Sequence, residues 1–292
     1  MSDRNIAQDQ ATANAFAHSW NTLPRQPVYS PEQHAEWLAP LSAKDFEDKA
    51  VLELGCGNAS LLFYSGGWKP RTLVGVDLGE SVRSAEEIMA QGTFKAWKII
   101  QADLTEFHAE PFDIVYCIGV LHHLKQPERG LDAVLRNVKP GGAFHCWVYA
   151  KEGNGVVRSL VEPLRHVVSR WPWPVVKYGI ATPLAVPFFI YAKGVSLLKD
   201  IPGVSRLPLF SYCQWVAQRE FAFFRHVAFD QLVTPQTTFF DRKTIEGWLA
   251  ARPEVEPQST YILFRNGNSW KFGGRLKGPR CSNSLPATRD QK

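Results

Sequence analysis

The segment Val51-Leu-Glu-Leu-Gly-Cys-Gly-Asn58, followed by Val74-Gly-Val-Asp77, constrains what this chain can fold into more than any other. It reads as strand, glycine turn, helix start, second strand and acid, with Asp77 twenty residues after Gly57. That order builds a nucleoside site. Gly55 and Gly57 remove side chains where the backbone must turn sharply and approach a ligand, and the helix start behind them offers unpaired N–H groups. Asp77, at the end of the second strand, is placed to accept hydrogen bonds from two ribose hydroxyls. A dinucleotide fingerprint would require glycine at position 60, where Ser60 stands, so the pattern argues against a nicotinamide cofactor.

The same segment resembles motif I of the class I S-adenosylmethionine (SAM) methyltransferases, acid-x-Gly-x-Gly-x-Gly, with Glu53, Gly55 and Gly57 in place and Ala59 at the third glycine. A carboxylate at 53 suits a ligand that carries an ammonium and a sulfonium rather than a pyrophosphate. The resemblance continues in order down the chain. Ile99-Ile-Gln-Ala-Asp103-Leu104 is similar to the third strand and the acid that receives the adenine amino group, and Phe112 to His123 to the fourth strand and the turn beneath the methyl-transfer site. Val138-Lys-Pro-Gly-Gly runs into a fifth strand ending near Tyr149. The resemblance implies that Glu53, Gly55, Cys56, Gly57, Asp77, Leu78, Asp103, Leu104, Ile118 and Gly119 hold SAM. It implies an α/β, Rossmann-like fold with a seven-stranded, mostly parallel sheet, helices on both faces, and a helical insertion after the fifth strand.

The alternation of short apolar strands with helical stretches, such as 80–91 and 128–137, supports a parallel sheet independently of that likeness. So does the chain's end: 260–265 and 269–272 flank Asn266-Gly-Asn268, a strong hairpin signal, and in the family such a hairpin closes the sheet. Ser30 reads as an N-cap with Pro31 at N1, and Asp241 opens an amphipathic helix. The expected layout is an N-terminal cap over 1–45, in which Trp20 and Tyr29 contact the cofactor or pin the cap. A SAM-binding core follows over 46–150, then an insertion over 151–238, a helix and hairpin over 239–275, and a disordered tail over 276–292.

The insertion is unusual. Residues 153–230 hold nine Lys and Arg against four acids, an excess of +5 that equals the formal charge of the whole 292-residue chain. They also hold thirteen aromatic residues. Its strongest apolar run, Tyr178 to Ala192, lies between Lys177 and Lys193 and contains Pro183 and Pro187, which weaken an isolated helix. Three readings follow, in descending order: buried helices of a substrate lid, docking at a membrane surface through 171–192, and a membrane span, for which fifteen residues are short.

Methyl transfer is an in-line displacement that positioning alone can accelerate, so a base is needed only when the acceptor must lose a proton. His122 and His123, after the fourth strand, and Tyr149, after the fifth, are the candidate catalytic residues; His145 is expected in the core. No metal site is expected: Asp77, Asp103 and Asp113 have other roles, and Cys56, Cys117, Cys146, Cys213 and Cys281 are scattered without a paired spacing, as in a reduced, cytoplasmic protein. The motif of enzymes that methylate exocyclic nucleobase amines is missing after the fourth strand. Gly119-Val-Leu-His-His123 resembles instead the small-molecule group that includes ubiquinone and menaquinone biosynthesis. The expectation is therefore a SAM-dependent methyltransferase of a small, hydrophobic or amphiphilic metabolite, with oxygen favoured as acceptor and nucleic acid not expected. A membrane-surface enzyme of a lipid or lipid-linked glycan is the second reading. A non-catalytic SAM-binding protein, or a nucleic-acid binder using the basic stretch 265–292, comes third.

Overall fold

A computed structural model of the chain describes residues 10–17, 21, 25–155, 157–234 and 236–278. Seven strands form one sheet in the order β3-β2-β1-β4-β5-β7-β6. They are β1 (Ala50–Leu54), β2 (Thr72–Asp77), β3 (Trp97–Gln101), β4 (Phe112–Ile118), β5 (Val138–Tyr149), β6 (Tyr261–Arg265) and β7 (Ser269–Arg275). β1 to β5 run parallel, β7 lies antiparallel to β5, and β6 pairs with β7.

Strand residues alternate between two cores because successive side chains leave a strand on opposite faces. Leu52, Leu54, Val115, Cys117, Phe144 and Cys146 point into one cluster; Val51, Ile114, Tyr116, Ile118 and Trp147 point into the other. Helices cover both faces. Val82–Met89 buries Val82, Ala85, Ile88 and Met89, a three-four spacing that forms one stripe. Pro127–Arg136 buries Leu131, Val134 and Leu135 and begins on a proline whose missing N–H no helical partner needs. Ser30 caps the helix Pro31–Leu38 by accepting from the Gln33 N–H, and Asp241 caps Arg242–Ala250 through the Thr244 N–H. The sheet order reverses between β1 and β4, and the crevice beyond their C-terminal ends is where an open α/β sheet receives a ligand.

The chain's two ends meet. Arg265, at the end of β6, forms a two-pronged ion pair with Glu36 of the cap helix (2.7 and 2.9 Å). Lys271 Nζ donates to the Glu36 carbonyl (2.6 Å), and His145 Nε2 lies 2.8 Å from the Trp37 carbonyl. His145 is thus a core residue with both ring nitrogens occupied, its Nδ1 lying 2.7 Å from the Tyr261 hydroxyl.

Three expectations change. The third strand ends at Gln101, so Asp103 sits in the loop beyond it, where its Oδ1 accepts from the Thr105 N–H and hydroxyl and closes a tight turn. The tail does not begin at 276: Leu276 N donates to the Gly142 carbonyl and Lys277 N to that of Glu254, adding a short bridge at the sheet edge. The expected disorder of the remainder, and Trp20 and Cys281, lie outside the described residues. The prolines of the insertion do not break its main helix, which is continuous over Val175–Leu197: a π-helical segment to Ala181, then α-helix with Pro183 in its first turn and Pro187 inside. Thr182 Oγ1 donates to the Lys177 carbonyl (2.8 Å), satisfying an oxygen of the π-to-α junction. The helices Glu162–Val168, Phe210–Ala217 and Phe221–Val233 complete the insertion.

Candidate active site

One cavity of about 340 Å³ opens over the β1 and β4 ends, within the usual range for small-ligand sites. All ten residues expected to hold SAM line it: Glu53, Gly55, Cys56, Gly57, Asp77, Leu78, Asp103, Leu104, Ile118 and Gly119. The turn after β1 explains its glycines. Gly55 has φ +77°, and a Cβ there would lie 2.3 Å from Val120 Cγ2. Gly57 (φ +55°) and Ala59 (φ +59°) share the left-handed region, so the alanine at the third glycine position keeps the glycine conformation. Gly55→Ala combines left-handed strain with a clash, and is expected to cost about 2–4 kcal/mol in urea unfolding. An unchanged midpoint would show that Val120 moves freely.

Asp77 organises this turn. Its Oδ2 accepts from the Gly57 N–H (2.9 Å), and its Oδ1 from the Gly79 N–H (2.9 Å) and the Ser81 hydroxyl (3.0 Å). Burial pushes its carboxyl up in spite of these donors, while each oxygen keeps lone-pair capacity toward the cavity. Glu53 is buried and accepts from the Tyr116 hydroxyl (3.1 Å) and from the Leu62 backbone. Burial, reinforced by the nearby Asp77, holds its carboxyl well above the usual range. No lysine or arginine forms an ion pair with it among the described residues. A buried acid that lacks a cation, at the end of a ligand cavity, fits the ammonium of SAM.

The histidine pair divides. His123 lines the cavity, its Nδ1 2.9 Å from the Gln236 carbonyl. A carbonyl only accepts, so Nδ1 carries the proton and Nε2 keeps its lone pair. Burial pulls the imidazole down to about 4, so it remains neutral at physiological pH. His122 is not among the cavity-lining residues. Its ring is fully buried between His123, Tyr149 and Trp147, with centroids 4.1, 4.2 and 5.6 Å away. Burial, with the charges of His123 and Arg165, holds it well below the ordinary value. Tyr149 lines the cavity, and its oxygen accepts from Gln231 Nε2 (2.6 Å), while buried Arg165 donates to the Gln231 carbonyl (2.6 Å). Burial and the nearby Asp230 raise Tyr149 to about 12, so at neutral pH it is a phenol that donates rather than a base.

The sequence reading missed the groups the insertion contributes. His226 and Asp230, one turn apart on Phe221–Val233, both line the cavity, and His226 Nε2 lies 3.3 Å from Asp230 Oδ2. An i, i+4 His-Asp spacing was visible in the chain, but it sits in a run so apolar that the segment reads as core. Tyr29 and Trp37 of the cap, Trp147 of β5, and Tyr212, Trp215 and Phe223 of the insertion complete an aromatic wall.

The sheet order, the reversal between β1 and β4 and the glycine turn with its acid define a class I, Rossmann-like methyltransferase core. Residues 52–144 match the family model described as a methyltransferase domain, so the chain carries such a domain at its core. It is 36% identical over 112 residues to a tRNA U34 carboxymethyltransferase of Helicobacter pylori, covering 37% of this chain and 43% of that protein. An uncharacterized protein of Synechococcus sp. is 25% identical over 227 residues, 76% of this chain and 49% of its own length. The chain thus spans less than half the length of these curated relatives. Magnesium protoporphyrin IX methyltransferase from Synechocystis PCC 6803, solved with bound SAH, shares the fold at TM-score 0.50 and 12% identity, over 89% of this chain and 84% of that one.

Proposed function

We propose that the chain uses SAM to methylate a small amphiphilic metabolite at a hydroxyl oxygen. The observation that carries this is the His226–Asp230 pair, which faces the same cavity as the glycine turn and Asp77. Bound there, SAM supplies a methyl group made electrophilic by its sulfonium. Glu53 takes the ammonium, Asp77 the ribose hydroxyls and Asp103 the adenine end, while Gly119 leaves the floor after β4 free of a side chain. A neutral amine attacks without losing a proton first, whereas a phenol or enol must lose one, and a histidine with a carboxylate 3.3 Å away meets that need. Asp230 supplies the negative charge beside the imidazole; the aromatic wall excludes water and grips a flat, apolar body. The tRNA substrate of the Helicobacter relative is not carried over, because the family match ends at residue 144, before the insertion that walls the acceptor end.

The first test is calorimetric titration of SAM at pH 6.5, below the ordinary α-amino range of about 7.7–8.0, in buffers of different ionisation enthalpy. An ammonium beside Glu53 favours the carboxylate, so its raised pKa falls on binding and a proton is released. Affinity then increases with pH up to the free carboxyl's pKa. Glu53→Gln is expected to remove the proton release. Native SAM affinity in Glu53→Gln would refute the placement of the ammonium, and binding without turnover on any hydroxyl acceptor would leave a SAM-binding protein that is not an enzyme.

A further inference from the structure

The main helix of the insertion leaves a large apolar face uncovered. Along Val175–Leu197 the fully buried residues are small, Ala185 (2% exposed), Ala192 (0%) and Val195 (3%), with Phe188 and Phe189 partly buried against the same cluster, while Leu184 (52%), Ile190 (66%) and Leu197 (84%) face outward. A helix with water on that side would carry polar residues there, because leaving large apolar side chains exposed forgoes their burial energy. The outward stripe continues through Pro183, Pro187, Tyr191 and Leu198 at three- and four-residue steps without a charge. Lys193 borders it, with its Nζ donating to the Ala217 carbonyl (2.6 Å) and resting 5.2 Å over the Phe189 ring. Beyond this helix, Leu160, Val167, Trp171, Ile201 and Leu207 are exposed on the same insertion, whereas the rest of the described chain exposes few large apolar residues, chiefly Leu263 and Phe264. The insertion walls the cavity through Tyr212, Trp215 and Phe223, as a lid would, while this helix leaves one apolar face exposed.

We infer that this face docks on a lipid bilayer, with the helix lying in the plane of the membrane interface. Close contact through small residues on the protein side with large apolar residues outward suits a helix whose outer side meets hydrocarbon. The helix has apolar side chains on both sides and only the inner side packs on a core, so the outer side needs an apolar surrounding. Arg158, Arg170, Lys199 and Arg206 are exposed on the same insertion, with Asp200 and Glu220 the exposed acids, and the excess of +5 over 153–230 favours an anionic lipid surface. The helix has the length to cross a bilayer, about 35 Å, but it packs along its side against Cys213, Val216 and Phe224, so it lies along the folded body instead of leaving it. Pro187 leaves the Pro183 carbonyl without its helical donor, which headgroup water can satisfy and a hydrocarbon core cannot. One layer further in, Tyr212 and Trp215 of the helix beneath line the cavity, so the docked face backs directly onto the acceptor end.

The test is flotation of the full chain with vesicles of phosphatidylcholine alone or with phosphatidylglycerol, without SAM or any acceptor. The protein is expected to float with both, more with the anionic vesicles, and added salt is expected to remove only that difference. Ile190→Glu combined with Leu197→Glu alters two outward side chains; it is expected to keep the unfolding midpoint and to weaken partition at least tenfold. No partition of the native chain, or equal partition of the doubly substituted one, overturns the inference. So does a native dimer in equilibrium sedimentation that the substitutions convert to a monomer, because the face then belongs to a second copy. Since no methyl transfer is read, failure here leaves the proposed reaction untouched.

Discussion

Asp77→Ala abolishes measurable binding of SAM and S-adenosylhomocysteine in calorimetric titration. Two hydrogen bonds from ribose hydroxyls to a buried carboxylate are worth about 1.5–3 kcal/mol each, and tenfold in affinity is about 1.4 kcal/mol, so a loss of at least a hundredfold is expected. The substitution reaches further, because the same carboxylate holds the Gly57 and Gly79 N–H groups and the Ser81 hydroxyl. Removing it loosens the glycine turn that the ligand must approach. Asp77→Asn is not a mild control. Its amide sets an NH₂ against one of two backbone N–H donors, so it too is expected to bind weakly while the unfolding midpoint falls by less than with alanine. Native affinity in the alanine variant would remove Asp77 from the ligand and reduce the likeness of the turn to a shared scaffold.

His226→Asn lowers kcat by about 10²–10⁴ while leaving SAM affinity unchanged, the pattern for loss of a general base that touches acceptor rather than cofactor. The assay is transfer of a labelled methyl group to a phenolic or enolic amphiphile selected by screening. Retained SAM affinity together with an unchanged unfolding midpoint separates this from a packing defect. Asp230→Asn, which removes the carboxylate but keeps the shape, is expected to cost less, because His226 itself remains to accept the hydroxyl proton. A native kcat in His226→Asn would return the proton-accepting role to His123 Nε2 or to no residue at all.

How much of this was legible depends on what kind of force fixes each part. Val51 to Asp77 specify a strand, a turn in the left-handed region and an acid by local chemistry, so β1, β2, Gly55 and Asp77 could be placed from the chain alone. Asn266 and Gly267, both at positive φ, made the β6–β7 hairpin equally plain. The fate of His122 was not legible: it differs from His123 by one step in a tight turn, and only the packing of Trp147 and Tyr149 determines which imidazole reaches the cavity. The insertion was only partly legible for a related reason. Its apolar run fits a lid helix and a membrane-surface helix alike by composition, and no local pattern shows which of its faces the folded chain leaves exposed. His226 and Asp230 were hidden the same way, since their importance comes from a tertiary approach to the β4 end.

The clamp between Glu36 and Arg265 sets an order of events for the newborn chain. Trp37, one residue from Glu36, walls the cavity, and Arg265 itself reaches that wall with its guanidinium 5.4 Å from the Trp37 ring. The parallel strands can assemble as they leave the ribosome, but the cap helix, which can already pack on Ser65 and Trp68 through His34, lacks this ion pair until the last hairpin has been synthesised, because Arg265 lies 229 residues downstream. An incomplete chain therefore carries the glycine turn and its acid beneath a cap that is not yet clamped, and the finished chamber waits until translation is nearly complete.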